Sequence, residues 1–566
     1  MVREVIGSVR RSSLVSTFGV GSLLPAGEDS VMVCGLDDWP RGEEIEEPRL
    51  AASLGVAGFR SPPAGLKGGD IPAVRFPVWV FCTACRRLGP WWEIASSGER
   101  LCDHCNEGTS PSRFVVCCSN GHIEDFPYRA WVHETGHVEP AGHELRLVSR
   151  GHTSSLADIL VSCSCGRSRS MNGAFDFGAF RGLRACSGAR PWLATNDERC
   201  TAELRTLQRG SSNVWFAATR SAISIPSIDH VADLFVRRNL RDVAPDAPSD
   251  LVASMFNPPV GLDRDDVRCA IDRMRAPVAS SAVVSDRDLR SEEYRALVAG
   301  SASFADDAMF RCDAVDIGNV DLPKVVAQVA RVGRLREVRA LVGFTRLVPP
   351  ADSSTATLAP LDDTGKVHWL PAVEVLGEGV FIRLDADILD SWARSPLAVR
   401  RSGELLRTRA RAGENSLSAG MDVSPKSLAL HSLAHVLVDE MSLSSGYPAA
   451  AIRERIYDAD DQAGVLVYTA SADSAGSLGG LAAVSEPHRF AQTLINGLER
   501  ARWCTADPVC AESSGSGIDG MNLAACHACL LLPEVSCERF NLGLDRISLV
   551  GSPGSLVGGL FSESLA

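Results

Sequence analysis

Trp503–Cys510 reads WCTADPVC and Ala524–Cys537 reads AACHACLLLPEVSC, and these two stretches decide what kind of chain this is. A Cys-x-x-Cys pair lets two sulfurs from one tight turn reach one metal ion, and a second pair closes the tetrahedron that zinc prefers. Cys504 and Cys510 form the first arm and Cys526 and Cys529 the second. The five-residue gap of the first arm is loose, so His527 and Cys537 stay open as substitute ligands. Buried cysteines used as small hydrophobes are the bland alternative, and the density of the cluster argues against it.

The same chemistry recurs toward the N-terminus. Phe76–Trp92, FPVWVFCTACRRLGPWW, is a strand running into Cys82 and Cys85, and ERLCDHCNEG brings Cys102 and Cys105. The spacing Cys-x2-Cys-x16-Cys-x2-Cys is that of a zinc ribbon, with two knuckles at the ends of short hairpins. It is the strongest single motif in the chain. A further group, Cys163, Cys165, Cys186 and Cys200, is irregular in spacing and is read as a second four-cysteine site. Cys118 and His122 in CCSNGHIEDFPY lie four residues apart. With Glu124 or Asp125 they suit a metal, but a turn at Gly121 with a hydrogen-bonded interior histidine is the preferred reading. Two or three structural zinc ions are expected in all.

Composition sets the limits. The chain has 566 residues, enough for roughly three or four domains. Hydrophobic content of 45% and charged content of 22% are those of an ordinary globular protein. A net charge of −13 argues against coating nucleic acid by bulk charge, while leaving a local basic groove open. Lysine is confined to Lys67, Lys324, Lys366 and Lys426, so arginine carries nearly all the positive charge. No stretch of about 18 apolar residues and no signal-like N-terminus is present, which points to the cytoplasm and to no membrane partner. Thiols stay reduced there, so 18 cysteines imply metal rather than disulfides.

The expected fold is α+β and multidomain, with zinc-ribbon-like modules in the N-terminal half and a C-terminal α/β domain ending in the cysteine-rich site. The expected divisions are 1–75, a small β-rich region; 76–210, two four-cysteine zinc modules; 211–420, a mixed α/β middle; and 421–566, the α/β domain. Ser16–Ser22 is a glycine turn before the strand SVMVCGL. Arg167, Arg169, Arg181, Arg184, Arg190, Arg199, Arg205 and Arg209, with Phe175, Phe177 and Trp192 among them, suit either backbone contact and base stacking on a single strand or a solvated rim. SEEYRALVAG opens a helix at a Ser291 cap. LPKVVAQVARVGRLREVRALVGFTR is read at helical spacing, with Arg331, Arg334, Arg336, Arg339 and Arg346 as phosphate contacts or a solvated face. HVADLFVRRNL is a short amphipathic helix. VEVLGEGVFIRLD is a strand pair around Gly-Glu-Gly. ILDSWARSPLAVRRSGELLRTRARA is a basic helical stretch.

PKSLALHSLAHVLVDEMS reads as a helix with Leu433, Leu437 and Met441 in a core stripe and His431 and His435 one turn apart. HSLAH lacks the glutamate of a HExxH protease. Buried, hydrogen-bonded histidines are the default; a metal held with Asp439 is the alternative. GVLVYT is a buried strand, and Asp473 and Ser474 in the glycine loop after it stand where an α/β sheet places a ligand, though a structural loop is the preferred reading. EPHRFAQTLINGLERARW is a helix that delivers Cys504. The sequence contains no GxxxxGK[ST], no HxK pair and no GxSxG nucleophile elbow, so no catalytic residues are assigned.

LHSLAHVLVDE, GVLVYTASADSAGSLGGL and the last cysteine cluster together resemble the C-terminal domain of Mrf-type superfamily 2 helicases. RRSSLVSTFGVGSLL, GLDDW, CSNGHIEDFPY, CSGARPWL, SNVWF with SAISIP, and REVRALVGFTR extend the likeness from Arg10 to Arg546. Their order resembles that of the DrmB subunits of DISARM anti-phage systems. The resemblance implies a non-catalytic zinc-binding subunit paired with a DrmA-like superfamily 2 helicase, in a complex that engages DNA with a single-stranded end. The helicase motors would act in trans. The rival expectations are a metal-dependent nuclease using His431, His435, Asp439 or Asp473, and a free-standing DNA sensor.

Overall fold

The computed structural model describes the chain except for residues 1–4, 66–68, 97–99, 135–141, 151–154, 194–198, 226–231, 233–234, 237–246, 257, 259–262, 276–284, 301–308, 351–357, 364, 366, 414–415, 417, 419, 460, 470–478, 553–557 and 566. Asp473 and Ser474, and most of the helix expected at HVADLFVRRNL, lie outside the described residues. The architecture is mixed α and β in two compact units, each assembled from separated stretches of chain. No described helix is long and apolar enough to cross a membrane.

The first unit comprises Met1–Glu46, Val56–Arg220 and Arg339–Val373. Strands β1 (Leu23–Ala26), β2 (Asp29–Val33) and β3 (Ala73–Arg75) form a small antiparallel sheet. The zinc-ribbon sequence forms β4 (Trp79–Cys82), β5 (Arg87–Pro90) and β6 (Thr109–Pro111). Then come β7 (Phe114–Cys117), β8 (Ile123–Asp125), α1 (Tyr128–His133), β9 (Leu145–Ser149), β10 (Ile159–Cys163), β11 (Ser168–Ser170) and β12 (Arg205–Gln208). Among the described residues one sheet runs β11-β10-β9-β5-β4-β6 and another β8-β7-β12. Aromatic rings dominate the core beneath them: Phe114, Phe126, Tyr128, Trp131 and Phe180 are buried together. Large rings bring much apolar area per side chain, which suits a unit built from short strands.

The turn at Ser16–Ser22 is a packed corner. Gly21 has φ +75°, and a Cβ there would meet Phe344 Cζ at 2.5 Å, so only glycine fits. Its carbonyl is occupied by Arg346, which donates to Gly21 (2.9 Å), Gly121 (2.7 Å) and Val214 (2.6 Å).

The second unit comprises Glu47–Gly55, Ser221–Val338 and Glu374–Ala566. Its elements include β13 (Phe216–Ile223, from Ser221 on), α2 (Asp286–Ala299), β14 (Val326–Thr345, to Val338) and β15 (Trp369–Leu384, from Glu374). They also include α3 (Pro396–Ala412), α4 (Pro425–Ser445), β16 (Ile452–Tyr457), β17 (Gly464–Thr469) and α5 (Pro487–Ala501). The sheet order is β13-β14-β15-β17-β16. α4 starts at a Ser424 cap that accepts from the Ser427 amide and stops at left-handed Gly446. From Leu428 to Val438 every residue of α4 is buried. A helix apolar on all sides belongs in a core, and this one packs on α5, β16 and β17.

Three expectations are corrected here. The stretch read as an arginine-striped helix is the strand β14. Its residues Leu335–Leu341 are all buried, and a strand covered on both faces loses the alternation that marks strands. Arg331 and Arg334 are not buried, but Arg336, Arg339 and Arg346 are. The helix expected to start at Ser291 starts at Asp286, where Ser285 and Asp288 make a reciprocal capping box. VEVLGEGVFIRLD is one continuous strand. Its glycines admit a close neighbour: a Cβ on Gly379 would lie 2.2 Å from the Val467 carbonyl. Gly379→Ala is therefore expected to destabilise the chain by about 1–3 kcal/mol, read as an earlier unfolding midpoint in urea. The basic stretch 396–412 is helical as expected, with Arg401 turned inward to clamp Asp545 with both arms of its guanidinium, at 2.8 and 2.5 Å.

Candidate metal centres

β4 and β5 pair with Trp79 opposite Pro90, so the chain turns just after Cys82 and presents Cys85 on the same corner. β6 runs antiparallel to β4 with Cys82 opposite Thr109, which sets the Cys102–Cys105 turn beside the first. Arg86 and Asn106, each directly after the second cysteine of its pair, both have positive φ (64° and 60°). Cys82 Sγ lies 3.4 Å from Cys105 Sγ, and Cys85 Sγ 3.7 Å from Cys102 Sγ. Zinc–sulfur bonds of ~2.3 Å in a tetrahedron put sulfurs about 3.8 Å apart. The Cys85 amide points at Cys82 Sγ from 3.4 Å, as amides do around a bound thiolate. The zinc-ribbon residues thus converge as their spacing requires.

The C-terminal cluster converges too. α5 ends at Ala501 and delivers Cys504; Cys504 Sγ is 3.5 Å from Cys526 Sγ, and Cys510 Sγ is 3.7 Å from Cys529 Sγ. The Ala506 amide donates to Cys504 Sγ at 3.4 Å and the Cys526 amide to Cys529 Sγ at 3.3 Å. His527 is exposed and outside the group, and Cys537 belongs to a different one.

Cys163, Cys165, Cys186 and Cys200 are not brought together. They fall into two groups: Cys186 and Cys200 join Cys118 and His122, and Cys163 and Cys165 join His133 and His143. Cys118, His122, Cys186 and Cys200 form one, with all four buried. Cys118 Sγ is 3.3 Å from His122 Nδ1 and 3.9 Å from Cys200 Sγ, and Cys186 Sγ is 3.6 Å from His122 Nδ1. Hydrogen bonding by Cys186, with His122 adding to it against the cost of burial, holds the Cys118 thiol down at about 4. Glu124 and Asp125 are engaged elsewhere: Glu124 accepts from Arg184 and the Ser187 amide, and Asp125 from the Trp79 and Val78 amides. The preferred reading of His122 as a plain interior histidine overlooked that the 186–200 segment folds back onto this turn.

His133, His143, Cys163 and Cys165 form the other group. His133 ends α1, and its Nδ1 donates to the Arg129 carbonyl at 2.9 Å, which leaves Nε2 for the group. That Nε2 is 3.4 Å from both Cys165 Sγ and His143 Nδ1. Neither histidine carried a sequence signal beyond being a histidine near cysteines. Three thiols outside these groups behave differently: burial pushes Cys34 up to about 11 and Cys117 and Cys312 up to about 12, marking them as neutral packing groups.

Asp439 does not join the α4 histidines. It is on the helix surface, where Arg500 donates to it at 2.7 Å, whereas His431 and His435 are fully buried. Of the arginine-aromatic set, Phe177 is the ring that stays open: its side chain is 68% exposed, and the guanidinium carbons of Arg181 and Arg205 stand 5.0 and 5.3 Å from its ring centre. Trp192 is buried under Arg346 and Phe344.

Residues 433–530 match the MrfA Zn-binding domain, and residues 10–216 match a domain of unknown function (DUF8724). The donor sets, all thiolate and imidazole in closed tetrads, are those of structural zinc, and structural zinc is the cofactor of this chain. The chain is 31% identical to the DISARM protein DrmB of Bacillus paralicheniformis over 553 residues, covering 92% of this chain and 96% of that one. With that likeness running through both units, the chain belongs to the DrmB family of DISARM defence proteins.

Proposed function

We propose that this DISARM component is a non-catalytic subunit that partners a DrmA-like superfamily 2 helicase and helps the complex hold DNA with a single-stranded end. The observation that carries the reading is the match of residues 433–530 to the MrfA Zn-binding domain in a chain without a GxxxxGK[ST] motif. The resemblance places such a domain at the end of Mrf-type helicases, so here the motor comes from another chain. Zinc belongs, on this reading, at Cys82/Cys85/Cys102/Cys105, Cys118/His122/Cys186/Cys200, His133/His143/Cys163/Cys165 and Cys504/Cys510/Cys526/Cys529. Four protein donors close each group, so the ions cross-link short loops and leave no position for a substrate. Phe177 between two guanidinium groups is a stacking platform for an unpaired base, beside charges that meet phosphate.

Co-purification of the tagged chain with the helicase encoded beside it tests the partnership. A stoichiometric complex whose DNA-stimulated ATP hydrolysis needs both chains is expected. A chain that purifies alone and leaves the helicase's rate unchanged would remove the reading. Within the complex, Phe177→Ala is expected to weaken binding of overhang DNA by roughly 5- to 150-fold, from the ~1–3 kcal/mol that one stacked base contributes. Unchanged affinity, measured by fluorescence anisotropy at about 150 mM salt, the physiological range, would take the platform out of the DNA path.

A further inference from the structure

His431 and His435 stand one turn apart on α4, Glu454 lies on β16, and Cys537 lies in the loop after the last four-cysteine group. All four are buried, and one donor atom from each falls within 4.8 Å of the others. His431 Nε2 is 3.3 Å from Glu454 Oε1 and 3.3 Å from Cys537 Sγ; His435 Nε2 is 3.5 Å from Glu454 Oε2. A tetrahedral zinc ion with bonds of ~2.0 Å to nitrogen and oxygen and ~2.3 Å to sulfur spaces its ligands about 3.3–3.6 Å apart.

Hydrogen bonding by neutral histidines does not account for this arrangement. His435 Nδ1 faces the Leu530 carbonyl at 2.8 Å and must donate to it, so a neutral His435 carries a lone pair on Nε2. That lone pair points at a carboxylate oxygen, which is also an acceptor. His435 Nε2 and Glu454 Oε2 are both buried without a hydrogen-bond partner. Two acceptors facing each other in a dry interior are costly unless a cation lies between them. The Arg539 and Asn541 amides point at Cys537 Sγ from 3.3 and 3.2 Å, the pattern seen at Cys82 and Cys504. Phe540 and Asn541 adopt positive φ to make that turn.

We infer that His431, His435, Glu454 and Cys537 form a fifth structural metal site, of mixed donors, that binds a zinc-class divalent cation. Two neutral imidazoles, one carboxylate and one thiolate around a dication sum to zero charge, which suits a fully buried position better than a four-thiolate site would. The ion would tie α4, β16 and the C-terminal loop together. Leu530 follows Cys529 directly, so the carbonyl that orients His435 belongs to the backbone of the neighbouring four-cysteine group. Four protein donors close the site, which makes it a brace for the unit that carries the zinc-binding domain and not a nuclease centre.

The test uses the full-length wild-type chain, dialysed against zinc sulfate and then freed of excess ion, with no helicase present. Anomalous diffraction at the zinc edge is expected to show a peak between these four side chains, and mass spectrometry five zinc ions per chain. Glu454→Gln is expected to remove one ion per chain while the peaks at the cysteine-rich groups persist. Wild-type crystals with peaks at the cysteine-rich groups and none here would overturn the inference, whether or not the helicase partnership holds. If Glu454→Gln does not fold, the wild-type anomalous map decides alone.

Discussion

Cys102→Ser is expected to unfold the whole 79–111 module and not merely to alter its surface. Besides the cysteines, the apolar residues buried around the site are Val80 and Ile94, with Trp91 partly covering them; Ala95 is buried beside Ile94, and Leu88 faces the aromatic core. Each such side chain contributes roughly 1.5–3 kcal/mol on burial, too little to order some thirty residues of short strand and turn. A structural zinc ion supplies an apparent ~10–16 kcal/mol to folding, and it does so only with all four ligands in place. Serine is near in size, so the lost thiolate accounts for the effect and steric change does not. Hydrogen exchange should show the β4, β5 and β6 amides losing protection, with one zinc ion fewer per chain. The first unit's aromatic core around Phe114 and Trp131 should keep its protection. Protection of β4 and β5 unchanged in the variant would show that packing alone holds the module, contrary to this account.

Arg346→Met is expected to cost about 3–5 kcal/mol, the range for removing one partner from a buried charged network. The guanidinium is 1% exposed and lies over Trp192 and Phe344, 5.1 and 4.8 Å from their ring centres. It donates to three carbonyls from three separate loops, at Gly21, Gly121 and Val214. Burial lowers its pKa to about 10, still above neutrality, so it stays charged at any pH the protein meets. Methionine fills much of the volume but leaves three buried acceptors unpaired, each costing ~1–3 kcal/mol. Arg346→Lys restores the charge without the fork and should recover only part of the loss. Urea unfolding followed by tryptophan fluorescence reads both; a Met variant within about 0.5 kcal/mol of wild type, the size of an ordinary surface change, would mean that water replaces the guanidinium.

The sequence determined by itself the two sites whose ligands are close in the chain. In Cys82/Cys85/Cys102/Cys105 and Cys504/Cys510/Cys526/Cys529 the turn geometry is local, so spacing carries the information. It also determined α4, β17 and α5, whose apolar runs and caps leave one reading. The tertiary structure alone decided the other centres. Cys186 and Cys200 reach His122 and Cys118 across 64 and 82 residues, and Cys163 and Cys165 reach back to α1 and His143. Cys537 leaves the cysteine cluster it follows and joins His435 and His431, the latter 106 positions earlier, because the chain returns past α4 after Cys529. β14 resembles a helix in sequence for a related reason: once both faces of a strand are covered, its side chains no longer alternate, and only its partners distinguish it from a helix. Local spacing encodes a turn, but a site assembled from distant segments is encoded by the packing that brings them together, and that packing has no signature within any one segment.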